Sequence, residues 1–110
     1  MGKHKSGKIN WAINHIKKLY RVETLIKHKK IEERYHIRQA QSLPLLEEFK
    51  TWLIQSKSQV LGQTDLSGAI QYCLNQWEKL ERYTLDGRLN IDNNRAERSI
   101  KPFVNGRNYV

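Results

Sequence analysis

The chain has 110 residues, with 20 Lys and Arg against 11 Asp and Glu, a formal charge of +9, and 38% hydrophobic residues. That is room for one small domain, and three Trp, five Tyr and two Phe argue against wholesale disorder. No apolar run reaches the roughly 20 residues of a membrane span, no secretory leader opens the sequence, and the single Cys73 excludes a disulfide framework or a cysteine zinc cage; a small cytoplasmic protein with no membrane partner is expected.

Residues 1–8 are polar, basic and glycine-containing, the pattern of a flexible basic arm. From Ile9 onward, Ile9, Ala12, Ile13, Ile16, Leu19, Tyr20 and Ile26 recur at helical spacing and mark one apolar face. Glu23 interrupts that stripe, with Lys27 one turn on as an i,i+4 partner. Residues 31–41 form a second, highly charged helical stretch. Ser42 followed by Pro44 reads as a cap and a restart, after which Leu45, Leu46, Phe49, Trp52 and Leu53 line a face through Lys57. Gly62 and Gln63 break the pattern, and Thr64 is the expected N-cap of the next helix, with Asp65 favourable at its positive end. Leu66, Ala69, Ile70, Cys73, Leu74, Trp77 and Leu80 carry a strong stripe to Tyr83, and Cys73 on it reads as a buried small hydrophobe. Asp86-Gly87 is a turn dipeptide. Leu89 to Ile91 reads as a short extended piece, Asp92 or Asn93 as a cap, and residues 94–100 as a last helix stopping near Pro102. The expected fold class is mainly α, a helical hairpin or bundle.

Charge is uneven along this series. Residues 1–30 hold nine bases against one acid, residues 31–87 six against eight, and residues 88–110 five against two. Concentrated positive charge neutralises phosphates and releases counterions, so nucleic acid is the natural partner class; the alternative is a solvated face that keeps the chain soluble.

The candidate chemistry lies between Asp86 and Arg107, where three carboxylates and five bases fall within 22 residues. A helix starting near Asn94 carries Glu97 in its first turns, beside Arg98 and one turn from Lys101. One reading is structural: Asp92 caps, Glu97 pairs with Lys101, and the asparagines make a turn. The other is a divalent metal, which needs several converging carboxylate oxygens. Asp86, Asp92 and Glu97 fall on different local structures, and nothing in their spacing brings them together. His4, His15, His28 and His36 form no ligand pattern and read as surface residues. No phosphate loop, catalytic triad order or zinc spacing is present.

The run Asp86-Gly87-Arg88-Leu89, Ile91-Asp92-Asn93-Asn94-Arg95-Ala96-Glu97-Arg98 and Ile100-Lys101-Pro102-Phe103, preceded by Ala69-Ile70-Gln71-Tyr72, Trp77 and Leu80, resembles the C-terminal part of the insertion sequence sixty-six transposase family. Upstream, Gly7-Lys8, Leu19-Tyr20-Arg21-Val22-Glu23, Glu33-Arg34, Arg38-Gln39, Leu43-Pro44-Leu45-Leu46 and Trp52-Leu53 are similar to the helical stretch that separates that family's second catalytic aspartate from its glutamate. The resemblance covers residues 7–108.

It implies a DDE enzyme with a ribonuclease-H-like core, in which two aspartates and a glutamate bind Mg²⁺ or Mn²⁺ to cut and join DNA. Glu97 matches the catalytic, metal-binding glutamate. Arg95, Arg98, Lys101 and Arg107 are the implied DNA contacts, and Asp92, Asn93 and Asn94 the residues that fix the helix start. Residues 1–8 are then an arm, 9–85 the helical insertion and 86–110 the catalytic-glutamate segment, without the sheet. Both aspartates would precede Met1, and residues 106–110 lack the family's usual lysine. The expectation is therefore a transposase fragment, inactive and without cofactor alone, whose partners are transposon-end DNA, a full-length transposase or further copies of itself. Two other expectations stand beside it: a small basic DNA-binding or regulatory module, and a helical self-association module. Helices shaped for a larger core should leave faces such as Leu66, Ile70 and Trp77 poorly covered.

Overall fold

A computed structural model describes residues 2–60, 64–91 and 94–104, with side chains described for 7–60, 64–91 and 96–103. Among these residues the chain is a series of six α-helices and one π-turn with no strand, so the mainly α class holds.

The first helix, α1, runs Gly2–Ile26 and buries Ile9, Ala12, Ile13, Ile16, Leu19, Val22 and Ile26 along one side. Where an arm was expected, the backbone is helical from Gly2. Residues 1–8 contain no proline to break a helix, and the Lys8 ammonium donates to Gln59 Oε1 at 2.6 Å and Ser56 Oγ at 3.2 Å.

Helix α2 (Ile31–Ile37), a π-turn (Arg38–Ser42) and helix α3 (Leu43–Gln59) form one uninterrupted rod. The expected restart at Ser42 does not occur. Its backbone is helical, with φ −82° and ψ −39°, and its hydroxyl makes no capping bond. Instead the Leu43 N–H reaches back five residues to the Arg38 carbonyl. Pro44 explains the wide turn: proline has no N–H to donate, and its ring crowds the carbonyl four residues back. Widening the helix just ahead of Pro44 removes both conflicts without ending the rod.

Helices α4 (Asp65–Asn75) and α5 (Trp77–Leu85) share the continuous stripe seen in the sequence, bent at Gln76. Thr64 caps α4 as expected, in a reciprocal box: the Ser67 N–H donates to Thr64 Oγ1 and the Thr64 N–H to Ser67 Oγ, both at 3.1 Å. After α5, the Leu89 N–H donates to the Asp86 carbonyl at 3.0 Å, closing the turn expected at Asp86-Gly87, and the residues from Leu89 to Ile91 form no strand where a short extended piece was expected. The last helix, α6, runs Asn94–Val104 straight through Pro102, past the expected stop. Burial of Ile100 and Phe103 on either side of the proline holds the final turn in place.

The helices close on one another. Helix α6 packs on α4, α5 and α1, and α3 packs on α1 and α4. Leu66, Ile70 and Trp77, expected to lie poorly covered, are 5%, 0% and 6% exposed. They share one core with an aromatic centre on α3: Phe49 is fully buried, with ring centroids of Trp52 and Trp77 at 6.0 Å and Phe103 at 5.8 Å. Phe103 arrives on α6, so the last helix completes the core that the first five leave open.

Candidate functional site

Helix α6 is oriented by its buried side. Ala96, Ser99, Ile100 and Phe103 recur at i, i+3, i+4 and i+7 and are at most 3% exposed. The Ser99 hydroxyl donates to the Gln76 carbonyl at 3.2 Å, tying α6 to the bend between α4 and α5. Three of the expected site residues then fall on the opposite side: Glu97 is half-buried, and Arg98 and Lys101 are exposed. Lys101 is one turn from Glu97, but no ion pair joins them among the described contacts. Asn94 and Arg95 are the first two residues of the helix. Asp92, Asn93 and Arg107 lie outside the described residues, so the capping and end-contact expectations attached to them do too.

The segment entering α6 is held by residues to which the sequence reading gave no site role. Arg38, in the π-turn, is fully buried and forms a bidentate pair with Glu23 of α1, Nη2 to Oε1 at 2.6 Å and Nε to Oε2 at 3.0 Å. Its Nη1 donates to the carbonyls of Tyr83 at 2.8 Å and Asp86 at 3.2 Å, and the guanidinium lies 5.1 Å from the Tyr83 ring centre. Gln39 Nε2 donates to the Thr84 carbonyl at 2.7 Å, and the Arg34 guanidinium donates to the Gly87 carbonyl. Two consecutive turns of the rod thus grip the end of α5 and the turn after it. Glu23 was expected to pair with Lys27 at the edge of the stripe. It turns inward instead, because a desolvated guanidinium with no carboxylate would be far more costly than an exposed lysine.

Gly87 is required by the same close approach. A Cβ built there would collide with the Ile31 carbonyl oxygen, which is backbone and has little room to yield. Asp86 is engaged locally: its carboxylate takes the Arg88 N–H at 2.9 Å and the Arg88 guanidinium at 3.0 and 2.8 Å. Hydrogen bonds from the Arg88 side chain, then its backbone, hold the Asp86 pKa down at about 2. Asp86 is therefore spent on the turn. Cys73 is buried, and desolvation pushes its thiol up to about 12, which suits a packing residue and not a nucleophile.

His15 corrects the surface reading of the histidines. It is 5% exposed, stacked 4.3 Å from the Trp11 ring, with Nε2 3.0 Å from Glu48 Oε1. Burial dominates and lowers its pKa below 6.5, against the opposing pull of Glu48. A lowered folded-state pKa means that the folded chain resists the proton. Stability should therefore be full above about pH 6.5 and fall as pH drops through the folded value. Thermal midpoints measured between about pH 7 and pH 5 should decline less for His15→Gln than for the natural chain. Identical pH dependence in both would mean that another group sets it.

Among the described residues no helix is long and apolar enough to cross a membrane. The family model described as "Transposase IS66 family" matches residues 1–110. Three curated relatives, all from Sinorhizobium fredii (strain NBRC 101917 / NGR234), are similar to the chain. They are the uncharacterized protein y4hP, 30% identical over 87% of this chain and 17% of its own length, y4jD, 34% identical over 76% and 16%, and y4qI, 35% identical over 76% and 16%. The chain thus spans about a sixth of the length of these relatives. No solved structure matches it. With the family model covering every residue, and the residues that grip and carry α6 inside that match, the chain belongs to the IS66 transposase family.

Proposed function

We propose that this chain is the helical, glutamate-presenting part of a DDE transposase: α6 holds Glu97 beside Arg98 and Lys101, facing transposon-end DNA. The observation that supports the reading is the position of Glu97, half-buried on a helix whose other side is locked into the core, next to two exposed cations. A carboxylate so placed can ligate a metal while its neighbours meet the phosphate that the metal activates.

The described residues do not by themselves fit a divalent metal. No three His, Cys, Asp or Glu side chains among them converge, and Asp86 is bound to Arg88. Two-metal phosphoryl transfer needs several carboxylates around one point. On this reading Glu97 contributes one ligand, and the aspartates belong to other parts of the relatives' longer chains. The chain alone is then catalytically incomplete.

Incubated with transposon-end duplex and Mg²⁺ or Mn²⁺, the chain should give no cleavage, whereas glutamine at the position matching Glu97 should abolish cleavage by a full-length family transposase. Cutting by the natural chain that disappears in Glu97→Gln would overturn incompleteness. Full activity of the substituted full-length enzyme would overturn the role of the glutamate.

A further inference from the structure

The only acid among residues 1–30 is Glu23, and the structure turns it inward onto Arg38. The consequence is a solvent side of α1 with no negative charge. Asn10, Asn14, Lys17, Lys18 and Arg21 are all exposed along it, and the turn after α1 exposes Lys27, Lys29 and Lys30. None of these six cations forms an ion pair among the described contacts. They are therefore free to meet an external anion without first giving up an internal partner.

The face is also shaped. Trp11, Asn14, His15, Lys17, Lys18 and Arg21 line a hollow of about 320 Å³. Two lysines and an arginine sit at its wall, an asparagine offers amide donors, and no carboxylate lines it. The boundary is sharp: the neighbouring, wider groove, which also touches Trp11, His15 and Lys18, has Glu47 and Glu48 on its α3 side. A polyanion approaching α1 is thus attracted on one side of Lys18 and repelled on the other. That gradient selects a track along α1 rather than across it onto α3.

We infer that the outer face of α1, centred on Lys17, Lys18 and Arg21, is a second DNA-binding surface, separate in the chain from the glutamate helix, that holds the duplex through its phosphates. Over Lys17 to Arg21 the helix rises about 6 Å, a scale on which successive phosphates of a strand can be met by successive cations. Contacts of this kind position a duplex without reading its sequence. The choice of duplex DNA over another polyanion rests on the transposase reading; the location of the surface rests on the charge geometry alone.

The test is a titration of fluorescent duplex with the 110-residue chain across roughly 50 to 200 mM salt. The combined variant Lys17→Gln, Lys18→Gln and Arg21→Gln should lower the slope of log affinity against log salt by about 2.7, three phosphate contacts at ~0.9 each. A control removing the same charge elsewhere, Lys50→Gln, Lys57→Gln and Arg82→Gln, should change the slope by less than about 1. All six positions are exposed, so circular dichroism of both variants should match the natural chain. Equal slope losses in the two variants would reduce the effect to net charge and overturn the surface. Absence of duplex binding at the lowest salt would overturn it as well, and so would stronger binding to single-stranded RNA or to anionic lipid vesicles. The titration reads duplex binding by this chain and the cleavage assay reads the glutamate, so failure of the catalytic reading and failure of this one give different results.

Discussion

Arg38→Met should destabilise the fold by about 3–5 kcal/mol, the usual cost of removing one partner from a buried ion pair. For a domain of this size that is a fall in melting temperature of roughly 10–30 °C. The methionine keeps the apolar stem, so the loss comes from the guanidinium. Removing it leaves Glu23 as an inward carboxylate only 13% exposed in its side chain, and strips the Tyr83 and Asp86 carbonyls of their donor. These contributions separate in a double variant. Arg38→Met with Glu23→Leu should recover part of the stability, because the stranded charge is gone, but not all, because the two carbonyls still lack a partner. A single variant melting within about 1 kcal/mol of the natural chain would mean that the pair is wet and the grip on α5 weak. Amide exchange should show the local effect, with faster exchange from Asp86 to Ile91 than in α1.

Phe49→Ala should cost a comparable amount, roughly 3–5 kcal/mol, through lost burial and the cavity left behind. Phe49 is fully buried and touches rings from four parts of the chain: Trp11 at 6.3 Å on α1, Trp52 at 6.0 Å on α3, Trp77 at 6.0 Å on α5 and Phe103 at 5.8 Å on α6. Large flat neighbours close a gap poorly, which places this site toward the upper end of the range. Phe49→Leu, which restores much of the volume, should recover more than half of the loss in chemical denaturation. If alanine and leucine melt alike, the ring cluster is not the keystone of the core. The loss should be felt at Glu97 too, since Phe103 fixes the helix that carries it.

Periodicity alone located the helices: the stripes on α1, α3 and α4 to α5 are the buried sides observed, and Thr64 caps as its residue type implies. What periodicity could not deliver was the joints. Ser42-Pro44 has the residues of a helix start, yet the rod passes through, because the competing solution, a wide turn, leaves no trace in residue type. Pro102 misled in the same way, since packing on both sides outweighs one missing backbone bond. The site was partly legible. Family resemblance pointed to Glu97, Arg98 and Lys101, and the helix period puts them on one side. Arg38 was hidden in a stretch so charged that every base in it looked solvated. One signal was available: Glu23 lies on an otherwise apolar stripe, and an acid there demands a buried cation. His15 was missed because it lies beside that stripe and not on it, buried under Trp11, which stacks on it from one turn away.

The π-turn also sets a phase. Each residue added to an α-helix rotates every later side chain by about 100°, and a π-turn absorbs one such residue without breaking the rod. On its N-terminal side, Arg34 and Arg38 aim at the end of α5; on its C-terminal side, Leu46, Phe49 and Leu53 aim at the core. Those two directions are reconciled only by the surplus residue between Arg38 and Ser42. A relative lacking one residue there could heal into plain α-helix and keep its core or its grip on the glutamate segment, but it could not keep both. Length in this short stretch is therefore under stricter constraint than the identity of its exposed residues, Ala40 and Gln41.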